Sequence, residues 1–316
     1  MKSGLLIAGA VPDDLIRLLK QDFELSILLN IDDLDAWLKE HAQGIEYAVT
    51  NGQDGLALPL MASLPDLKLI SCYGVGYEGI NVKAAAERGI FVSHTPDILN
   101  DEVATTAILL MLACYRNLLA DDQYVRSGAW AKDGPAPLSR TADGQKVGIL
   151  GLGRIGKAVA QKLSVFGADI SYHGRNRQDV AYRYFADLVD MARACDVLIC
   201  VMPGGAETRH MVNKEVIEAL GPKGTLINVG RGSSVDEAAL LQALHSGKLG
   251  WAGLDVFENE PNVPSALCAM NNVVLLPHAG SATKETRAAI SALVRENLLC
   301  HKRGGRVLTP VPETKF

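Results

Sequence analysis

The sequence predicts an α/β protein built from two doubly wound parallel-sheet domains. Short runs of β-branched and aliphatic residues recur roughly every 20–30 residues, and helix-like segments separate them. Parallel strands need helical crossovers, which cover both faces of a sheet. The 316 residues are also too many for one ordinary core and are comfortable for two domains.

The first series of strand patterns lies before residue 98. Strands are predicted over Leu5–Ala8, Leu25–Leu29, Tyr47–Thr50, Leu67–Cys72 and Ile90–Val92. Helical patterns separate these strands, as at Asp13–Lys20 and Val82–Arg88. This alternation predicts the first parallel sheet.

The second series follows a long helix. Asn100 or Asp101 is expected to cap that helix, which runs to about Leu119, and Ser127–Gly144 is expected to form a loop. Strands are then predicted over Lys146–Leu150, Asp169–His173, Asp196–Met202, Thr225–Val229, Gly250–Asp255 and Asn272–Leu276. A final helix is predicted over about Glu285–Cys300, and its apolar positions need a surface to cover. We therefore expect residues 1–98 and 286–316 to form one domain, with residues 99–285 inserted as the second.

Composition excludes several classes of protein. With 48% apolar and 21% charged residues the chain is not disordered. The net charge of −5, the 5% aromatic content and the lack of a Lys/Arg-rich run argue against a nucleic-acid partner. The longest mostly apolar stretch, Val103 to Cys114, is well short of the ~20 residues that span a membrane, so no membrane partner is expected.

The amino-terminal residues and the cysteines indicate the cellular compartment in which the protein is expected. The opening residues lack the apolar core and cleavage pattern of a secretory signal. The six cysteines are scattered, with neither a Cys-x-x-Cys nor a Cys/His metal spacing. We therefore expect reduced thiols, no metal and a cytoplasmic protein.

A glycine-rich turn follows the strand predicted at Lys146–Leu150 and precedes a helix predicted over Lys157–Phe166. Gly151, Gly153 and Gly156 form the pattern Gly-x-Gly-x-x-Gly. In this pattern the first glycine permits a tight turn, the second admits a pyrophosphate and the third lets helix and strand pack closely. With the start of the helix offering unpaired amides, we expect a dinucleotide site at Gly151, Gly153, Arg154, Ile155 and Gly156.

The end of the next strand bears on which dinucleotide binds. A site for NAD usually places Asp or Glu there to bind the ribose 2′-hydroxyl, but this chain has Gly174. Arg175, Asn176 and Arg177 follow directly. Guanidinium groups suit a 2′-phosphate, which a carboxylate would repel. The alternative is a pair of solvated surface arginines, and the missing acid favours NADP(H), with NAD(H) possible.

Three polar residues lie just beyond the last three predicted strands, where ligands bind in open α/β sheets. They are Arg231, Glu260 and His278. Each has a structural alternative, as an ion-pair partner, a solvated acid or a structural histidine. Their grouping beside a nucleotide loop favours catalysis, whereas His41, His94, His210, His245 and His301 are interpreted as structural.

Over essentially its whole length the chain resembles the D-isomer-specific 2-hydroxyacid dehydrogenases. The resemblance is carried by the glycine loop and by the segments Ser-Cys-Tyr-Gly-Val-Gly-Tyr-Glu from Ser71, Asn-Val-Gly-Arg-Gly from Asn228, Gly-Leu-Asp-Val-Phe-Glu-Asn-Glu-Pro from Gly253 and Pro-His-Ala-Gly-Ser from Pro277. Within the family the chain looks most like the NADPH-preferring glyoxylate/hydroxypyruvate reductases. This resemblance implies a Rossmann dinucleotide-binding domain inserted into a flavodoxin-like substrate-binding domain.

The resemblance also implies roles for single residues. Arg231 would hold the carboxylate and carbonyl of a 2-keto acid, and His278 would protonate the carbonyl oxygen. Glu260, chosen over Glu258 by its place in the family motif, would orient His278 and favour its imidazolium form. The remaining implied roles are substrate binding by the backbone amides of Val75 and Gly76, carboxamide binding by Asp255, and shaping of the neighbouring subunit's pocket by Trp130 in a homodimer.

Some alternatives stay open from the sequence. A D-lactate- or D-3-phosphoglycerate-type dehydrogenase is a near alternative, and an NAD(P)-sensing, corepressor-like interaction protein is a distant one. Glu78 and Gly79 replace the Asp-Asn that is often found in the family, and Thr105 replaces a frequent Asp. Because of these departures, the sequence leaves open which side chain the pocket prefers at the far end of the substrate.

Overall fold

The computed structural model describes residues 2–315, which form two parallel sheets with helices packed around them. In chain order the strands are β1 (Ser3–Ile7), β2 (Phe23–Ile27), β3 (Ile45–Asn51), β4 (Leu69–Tyr73), β5 (Phe91–Ser93), β6 (Lys146–Leu150), β7 (Asp169–His173), β8 (Arg183–Tyr184), β9 (Val197–Cys200), β10 (Thr225–Asn228), β11 (Trp251–Leu254) and β12 (Val273–Leu275). The α-helices are α1 (Asp13–Leu19), α2 (Leu34–His41), α3 (Leu58–Ala62), α4 (Val82–Glu87), α5 (Asn100–Tyr115), α6 (Leu118–Arg126), α7 (Ala129–Asp133), α8 (Arg154–Leu163), α9 (Leu188–Ala194), α10 (Lys214–Leu220), α11 (Glu237–His245), α12 (Ser265–Cys268) and α13 (Lys284–Gly304). The expected α/β class with two parallel sheets is confirmed.

The chain divides into two units. The first unit runs to Ile98 and resumes at Thr283, and the second comprises Leu99–Ala282. The chain returns to the first unit at Thr283, three residues before the boundary predicted at residue 286. The difference arises because α13 belongs whole to the first unit, with Thr283 as its N-cap.

The first unit holds a five-stranded sheet in the order β2-β1-β3-β4-β5, which is the flavodoxin-like order. All five residues of β4 are buried, as expected for a strand covered on both faces. Helix α13 supplies part of the cover by burying Ile290, Val294 and Leu298, and Arg295 on its outer side pairs with Asp22 at 2.7 Å. The first unit is therefore completed by the last part of the chain.

The carboxyl-terminal segment also closes one edge of this sheet. Pro310 forms an antiparallel bridge with Ser93 of β5, and the Val311 amide donates to the Val92 carbonyl at 2.9 Å. The Val92 amide in turn donates to Oγ1 of Thr314 at 3.0 Å. The edge of β5 consequently has its backbone groups paired.

The second unit holds a seven-stranded sheet in the order β12-β11-β10-β9-β6-β7-β8. The order reverses at β6, as in dinucleotide-binding folds, so the first βα turn lies at the switch point of the sheet. Helix α5 packs against β10 and β11. A Cβ atom at Gly253 of β11 would lie 3.0 Å from Cβ of Leu110, so glycine permits this close approach.

Several local predictions differ from the structure, four of them at the helices of the second unit. Asn100 and Asp101 do not cap α5, because the helix already includes both and its N-cap is Leu99, with no side-chain cap bond. The helix ends at Tyr115 rather than Leu119, since Asn117 adopts a left-handed backbone and starts α6 on a new axis. The predicted loop 127–144 contains α7, and α8 begins at Arg154 rather than Lys157.

Helix α5 is rich in apolar residues. Within residues 2–315 no single helix is long and apolar enough to cross a bilayer, although α5 and α6 pass by length and composition when taken together. These two helices are bent by 59° at their junction, and most of the apolar side chains of α5 are buried inside the second unit.

Candidate active site

Polar side chains follow three neighbouring strands of the second sheet. Arg231 comes three residues after β10, Glu260 lies in the loop after β11, and His278 comes three residues after β12. Because β10, β11 and β12 are adjacent and parallel, their carboxyl ends lie at the same edge of the sheet. The three residues singled out from the sequence therefore belong to one edge.

Glu260 and His278 form a direct pair. Nδ1 of His278 donates to Oε2 of Glu260 at 2.7 Å, and Oε1 of Glu260 accepts from the Phe257 amide at 3.0 Å. The Glu260 side chain is 17% exposed and that of His278 is 39% exposed. The carboxylate thus fixes one ring nitrogen of a histidine that remains open to solvent.

Asp255 anchors the turn that carries His278. Its carboxylate is buried, with Oδ1 accepting from the Ala279 amide at 2.6 Å and Oδ2 from the Gly280 amide at 2.8 Å. The His278 amide donates to the Asp255 carbonyl at 2.8 Å. Burial raises the pKa of the Asp255 carboxyl, while the two amide bonds and His278 act in the opposite direction. Three hydrogen bonds therefore connect one residue to one turn.

The same turn carries backbone strain. His278 has φ of +53°, a left-handed conformation that is uncommon for residues other than glycine. Oγ1 of Thr106, on α5, holds the far side of the turn by donating to the Gly280 carbonyl at 3.2 Å. The histidine is thus placed by a turn whose surroundings impose its conformation.

Arg231 follows a turn braced by buried polar groups. Nδ2 of Asn228 donates to the Arg231 carbonyl at 3.0 Å, and Oδ1 of Asn228 accepts from the Gly230 amide at 3.1 Å. Oγ of Ser234 also donates to the Arg231 carbonyl, at 2.6 Å. The Arg231 side chain is attached to a fixed backbone and is half-buried.

Glu258, the other acid of the motif, has different partners. Its Oε1 accepts from Nε2 of His210 at 2.7 Å and from Nη2 of Arg209 at 2.9 Å. Of the two candidate acids, Glu260 is therefore the one in contact with His278. Nothing in the sequence alone assigned His210 to this pair, because its partner lies 48 residues away.

The glycine loop has the geometry that a bound pyrophosphate requires. Gly151 has φ of +98°, and a Cβ atom at Gly156 would overlap the Gly151 carbonyl. Gly153 is the N-cap of the ten-residue helix α8 and supplies no side-chain cap. Among residues 2–315, and apart from its two chain neighbours, no atom lies within 4 Å of where the Gly153 Cβ would be, which leaves open space over the first turn at Arg154 and Ile155. These residues fit a dinucleotide phosphate group.

The segment after β7 is held at both ends while its arginines stay exposed. The Gly174 carbonyl accepts from the Tyr184 hydroxyl at 3.2 Å. Gln178 donates from its amide to the Tyr172 hydroxyl at 2.7 Å and from Nε2 to the Leu152 carbonyl at 2.8 Å. Gln178 thus ties the segment to the glycine loop, a link that no sequence signal indicated. The exposed residues between these anchors are Arg175, Asn176 and Arg177.

Val75 and Gly76 belong to the first unit, in the loop after β4. This loop packs tightly against the turn Asn51–Gly55, because a Cβ atom at Gly55 would overlap the Gly79 carbonyl. A Cβ atom at Gly79 would lie 2.9 Å from Cα of Gly55. The glycine at 79, where the family often has Asn, is therefore required by backbone contact in this chain.

Trp130 lies on α7 and is 60% exposed. Within the described residues of the second unit, Trp130 is not among the hydrogen-bond partners of Glu260 and His278. A metal site is likewise not formed: residues 2–315 contain no group of three His, Cys, Asp or Glu side chains arranged to hold an ion.

Comparison with known families identifies this architecture. The model of the D-isomer specific 2-hydroxyacid dehydrogenase NAD binding domain matches residues 108–280. The chain belongs to the D-isomer-specific 2-hydroxyacid dehydrogenase family. The match spans β6 to β12 and so includes the glycine loop, Arg231, Glu260 and His278.

Relatives of this dehydrogenase cover nearly its full length. It is 43% identical over 309 residues to glyoxylate/hydroxypyruvate reductase A HPR2 of Arabidopsis thaliana, covering 98% of each chain. It is 46% identical over 276 residues to hydroxyphenylpyruvate reductase of Plectranthus scutellarioides, covering 87% of this chain and 88% of the relative. The NADPH-dependent glyoxylate/hydroxypyruvate reductase of Sinorhizobium meliloti, solved with NADP and malonate, is 46% identical with a TM-score of 0.94, covering 100% of this chain and 98% of that one.

The anchoring role of Asp255 in this dehydrogenase predicts the effect of Asp255→Asn. An amide has one oxygen, so one of the two backbone amides would face an NH₂ group and lose its acceptor. We expect the free energy of unfolding to fall by about 1–3 kcal/mol, together with a loss of activity. Denaturant unfolding and steady-state kinetics measure the two effects.

Asp236→Asn is the matched control, because Asp236 also accepts from a backbone amide, that of Ala239, as the N-cap of α11. Asparagine caps helices as well as aspartate does, so this variant is expected to keep its stability and activity. Equal losses in the two variants would contradict the anchoring role of Asp255.

Proposed function

We propose that this chain is an NADPH-dependent reductase of small 2-keto acids, converting glyoxylate to glycolate and hydroxypyruvate to D-glycerate. The observation that carries the proposal is the 2.7 Å pair of Glu260 and His278 at the strand edge that also bears Arg231. The names of relatives at 43–46% identity support the substrate class.

Arg231, His278 and Glu260 each have a separate role in the reaction. Arg231 binds the substrate carboxylate and carbonyl through its planar guanidinium group. When bound, the nicotinamide cofactor supplies the hydride that adds to the carbonyl carbon. His278 donates a proton from Nε2 to the carbonyl oxygen, so that the product is a hydroxyl group. Glu260 orients the ring through Nδ1 and stabilises the imidazolium before the proton leaves.

Backbone and buried groups complete the binding roles. The Val75 and Gly76 amides bind the substrate carboxylate. Asp255 keeps lone pairs beyond the two used by Ala279 and Gly280, and it accepts from the carboxamide of the cofactor. The glycine loop and the start of α8 bind the pyrophosphate.

Arg175 and Arg177 select the phosphorylated cofactor. They are exposed, they follow β7 directly and Gly174 leaves no carboxylate to repel a 2′-phosphate. Asn176 adds a donor between them. A hydrogen bond to a charged group contributes about 1.5–3 kcal/mol, which corresponds to roughly 10- to 100-fold in affinity.

A second candidate is the reduction of larger aromatic 2-keto acids. The relative from Plectranthus scutellarioides, named a hydroxyphenylpyruvate reductase, favours it. Both candidates use the same carboxylate and carbonyl chemistry and differ only at the far end of the substrate.

The central test measures turnover of the wild type and of Glu260→Gln with glyoxylate, hydroxypyruvate, pyruvate and hydroxyphenylpyruvate, each with NADPH and NADH. We expect the wild type to reduce glyoxylate and hydroxypyruvate with NADPH. Glu260→Gln is expected to lower kcat by about 10- to 10³-fold, because it removes the charge that stabilises the imidazolium.

Glu258→Gln is the matched control, since Glu258 pairs with His210 instead of His278. It is expected to retain most of the turnover. If Glu260→Gln also turned over at the wild-type rate, the assigned role would be excluded. If the wild type oxidised neither cofactor, the corepressor-like alternative would replace the enzyme.

Cofactor choice is tested with the double variant Arg175→Ala, Arg177→Ala. We expect kcat/KM for NADPH to fall by about 10²-fold or more, because two contacts to the 2′-phosphate are lost. The value for NADH is expected to stay within a few-fold. The control is Arg193→Ala, an exposed arginine on α9 that pairs with Asp190. An unchanged preference in the double variant would refute the assignment.

The protein is a homodimer in this proposal, with Trp130 shaping the partner's substrate pocket. Support comes from the distribution of exposed apolar side chains within residues 2–315, which concentrates on one segment of the second unit. That segment contributes Leu109, Leu118, Leu119, Val125, Trp130 and Leu138, and Leu138 is 98% exposed. Such a concentration is typical of an interaction surface.

The mass of the protein in solution tests whether this apolar segment forms a dimer interface. We expect twice the mass of one chain for the wild type by light scattering, and a shift toward single chains for Leu138→Glu, because a buried unpaired charge opposes association. Val165→Glu is the control, since Val165 is 82% exposed in the same unit but outside the segment. Equal behaviour of the two variants, or a wild type with the mass of one chain, would contradict the proposal.

A further inference from the structure

Two successive backbone amides in the first unit have no protein acceptor. Gly74, with φ of +136°, turns the chain after β4, and the loop that follows is half-buried. Within residues 2–315 neither the Val75 nor the Gly76 amide donates a hydrogen bond. Adjacent donors of this kind are suited to bind an anion.

The carbonyls of the same two peptides are both held. The Gly74 carbonyl accepts from the Thr95 amide at 2.8 Å, and the Val75 carbonyl accepts from Nδ1 of His94 at 3.0 Å. A peptide is planar and trans, so its C=O and N–H point in opposite directions. Fixing the Gly74 carbonyl therefore aims the Val75 N–H, and fixing the Val75 carbonyl aims the Gly76 N–H.

His94 is itself held from several sides. Its ring meets the Tyr77 ring edge to face, with the ring centroids 5.4 Å apart and an interplanar angle of 90°. Its amide donates to the Thr309 carbonyl at 3.2 Å, and its carbonyl accepts from Oγ1 of Thr309 at 2.6 Å. Buried Asn297 fixes Thr309 by accepting from its amide and donating to its hydroxyl. The imidazole donor is therefore pre-positioned by the carboxyl-terminal segment.

We propose that His94 is a positioning residue for substrate binding, which orients and polarises the Val75–Gly76 peptide so that the Gly76 amide binds the carboxylate of a 2-keto acid. This inference rests on the proposed function. A hydrogen bond to a carbonyl strengthens the N–H of the same peptide as a donor. The structural role expected for His94 from the sequence is thus extended to the substrate.

The test compares His94→Phe with His94→Asn. Phenylalanine keeps a ring against Tyr77 but has no donor, whereas asparagine carries an amide donor near the position of Nδ1. We expect His94→Phe to raise KM for glyoxylate or hydroxypyruvate about 10-fold, with kcat and the KM for NADPH within about 2-fold of the wild type. His94→Asn is expected to restore most of the loss.

Calorimetric binding of oxalate, a dicarboxylate that cannot be reduced, supplies a readout apart from turnover. Its Kd in the presence of NADP⁺ is expected to rise in His94→Phe by the same factor as KM. The control is His41→Phe, because His41 is an exposed histidine on α2 of the same unit, and this variant is expected to match the wild type in both measurements.

The outcomes separate the two proposals. Wild-type KM and wild-type oxalate affinity in His94→Phe would overturn the positioning role, and so would equal losses in His94→Phe and His94→Asn, which would indicate packing alone. A wild type that reduces no 2-keto acid would refute the proposed function, and oxalate binding would still decide whether His94 orients an anion site.

Discussion

A parallel sheet that is buried on both faces has room for charged side chains chiefly near the ends of its strands. In the second unit β9 and β10 are buried along their whole length, and the chemistry begins at the residues that follow them. Arg231, Glu260 and His278 reach one edge because three neighbouring strands run in the same direction. The same restriction places the glycine loop after β6 and the arginine segment after β7.

Hydrogen bonds to the backbone determine how these groups are presented. Asp255 holds the turn of His278, Asn228 holds the turn of Arg231, and Gln178 ties the arginine segment to the glycine loop. In the first unit His94 and Thr95 hold the carbonyls of Val75 and Gly74. In the proposed function, a chain with a net charge of −5 binds anionic groups largely through oriented backbone amides.

The sequence predicted the fold class, the paired sheets and the strands β6 and β7 to the residue, because apolar runs and glycine punctuation are local signals. The cap of α5 was wrong since Leu99 already begins the turn and the neighbouring polar residues fall inside the helix. The contact of Glu260 with His278 followed from a family motif, not from local pattern. Gln178, His210 and the bond of His94 to Val75 involve partners 19 to 48 residues away, which no period in the chain reveals.

The paired edge of β5 has a consequence for the synthesis of this chain. Ser93 leaves the ribosome well before Pro310, and at about 5–20 residues per second the delay is roughly 10–40 s. The second unit is fully synthesised within that interval, while the first unit still has an open strand edge of the kind that pairs with other chains. The β5 edge can therefore be paired only once residues 310–314 have been synthesised, so the first unit, which begins first, is completed after the second.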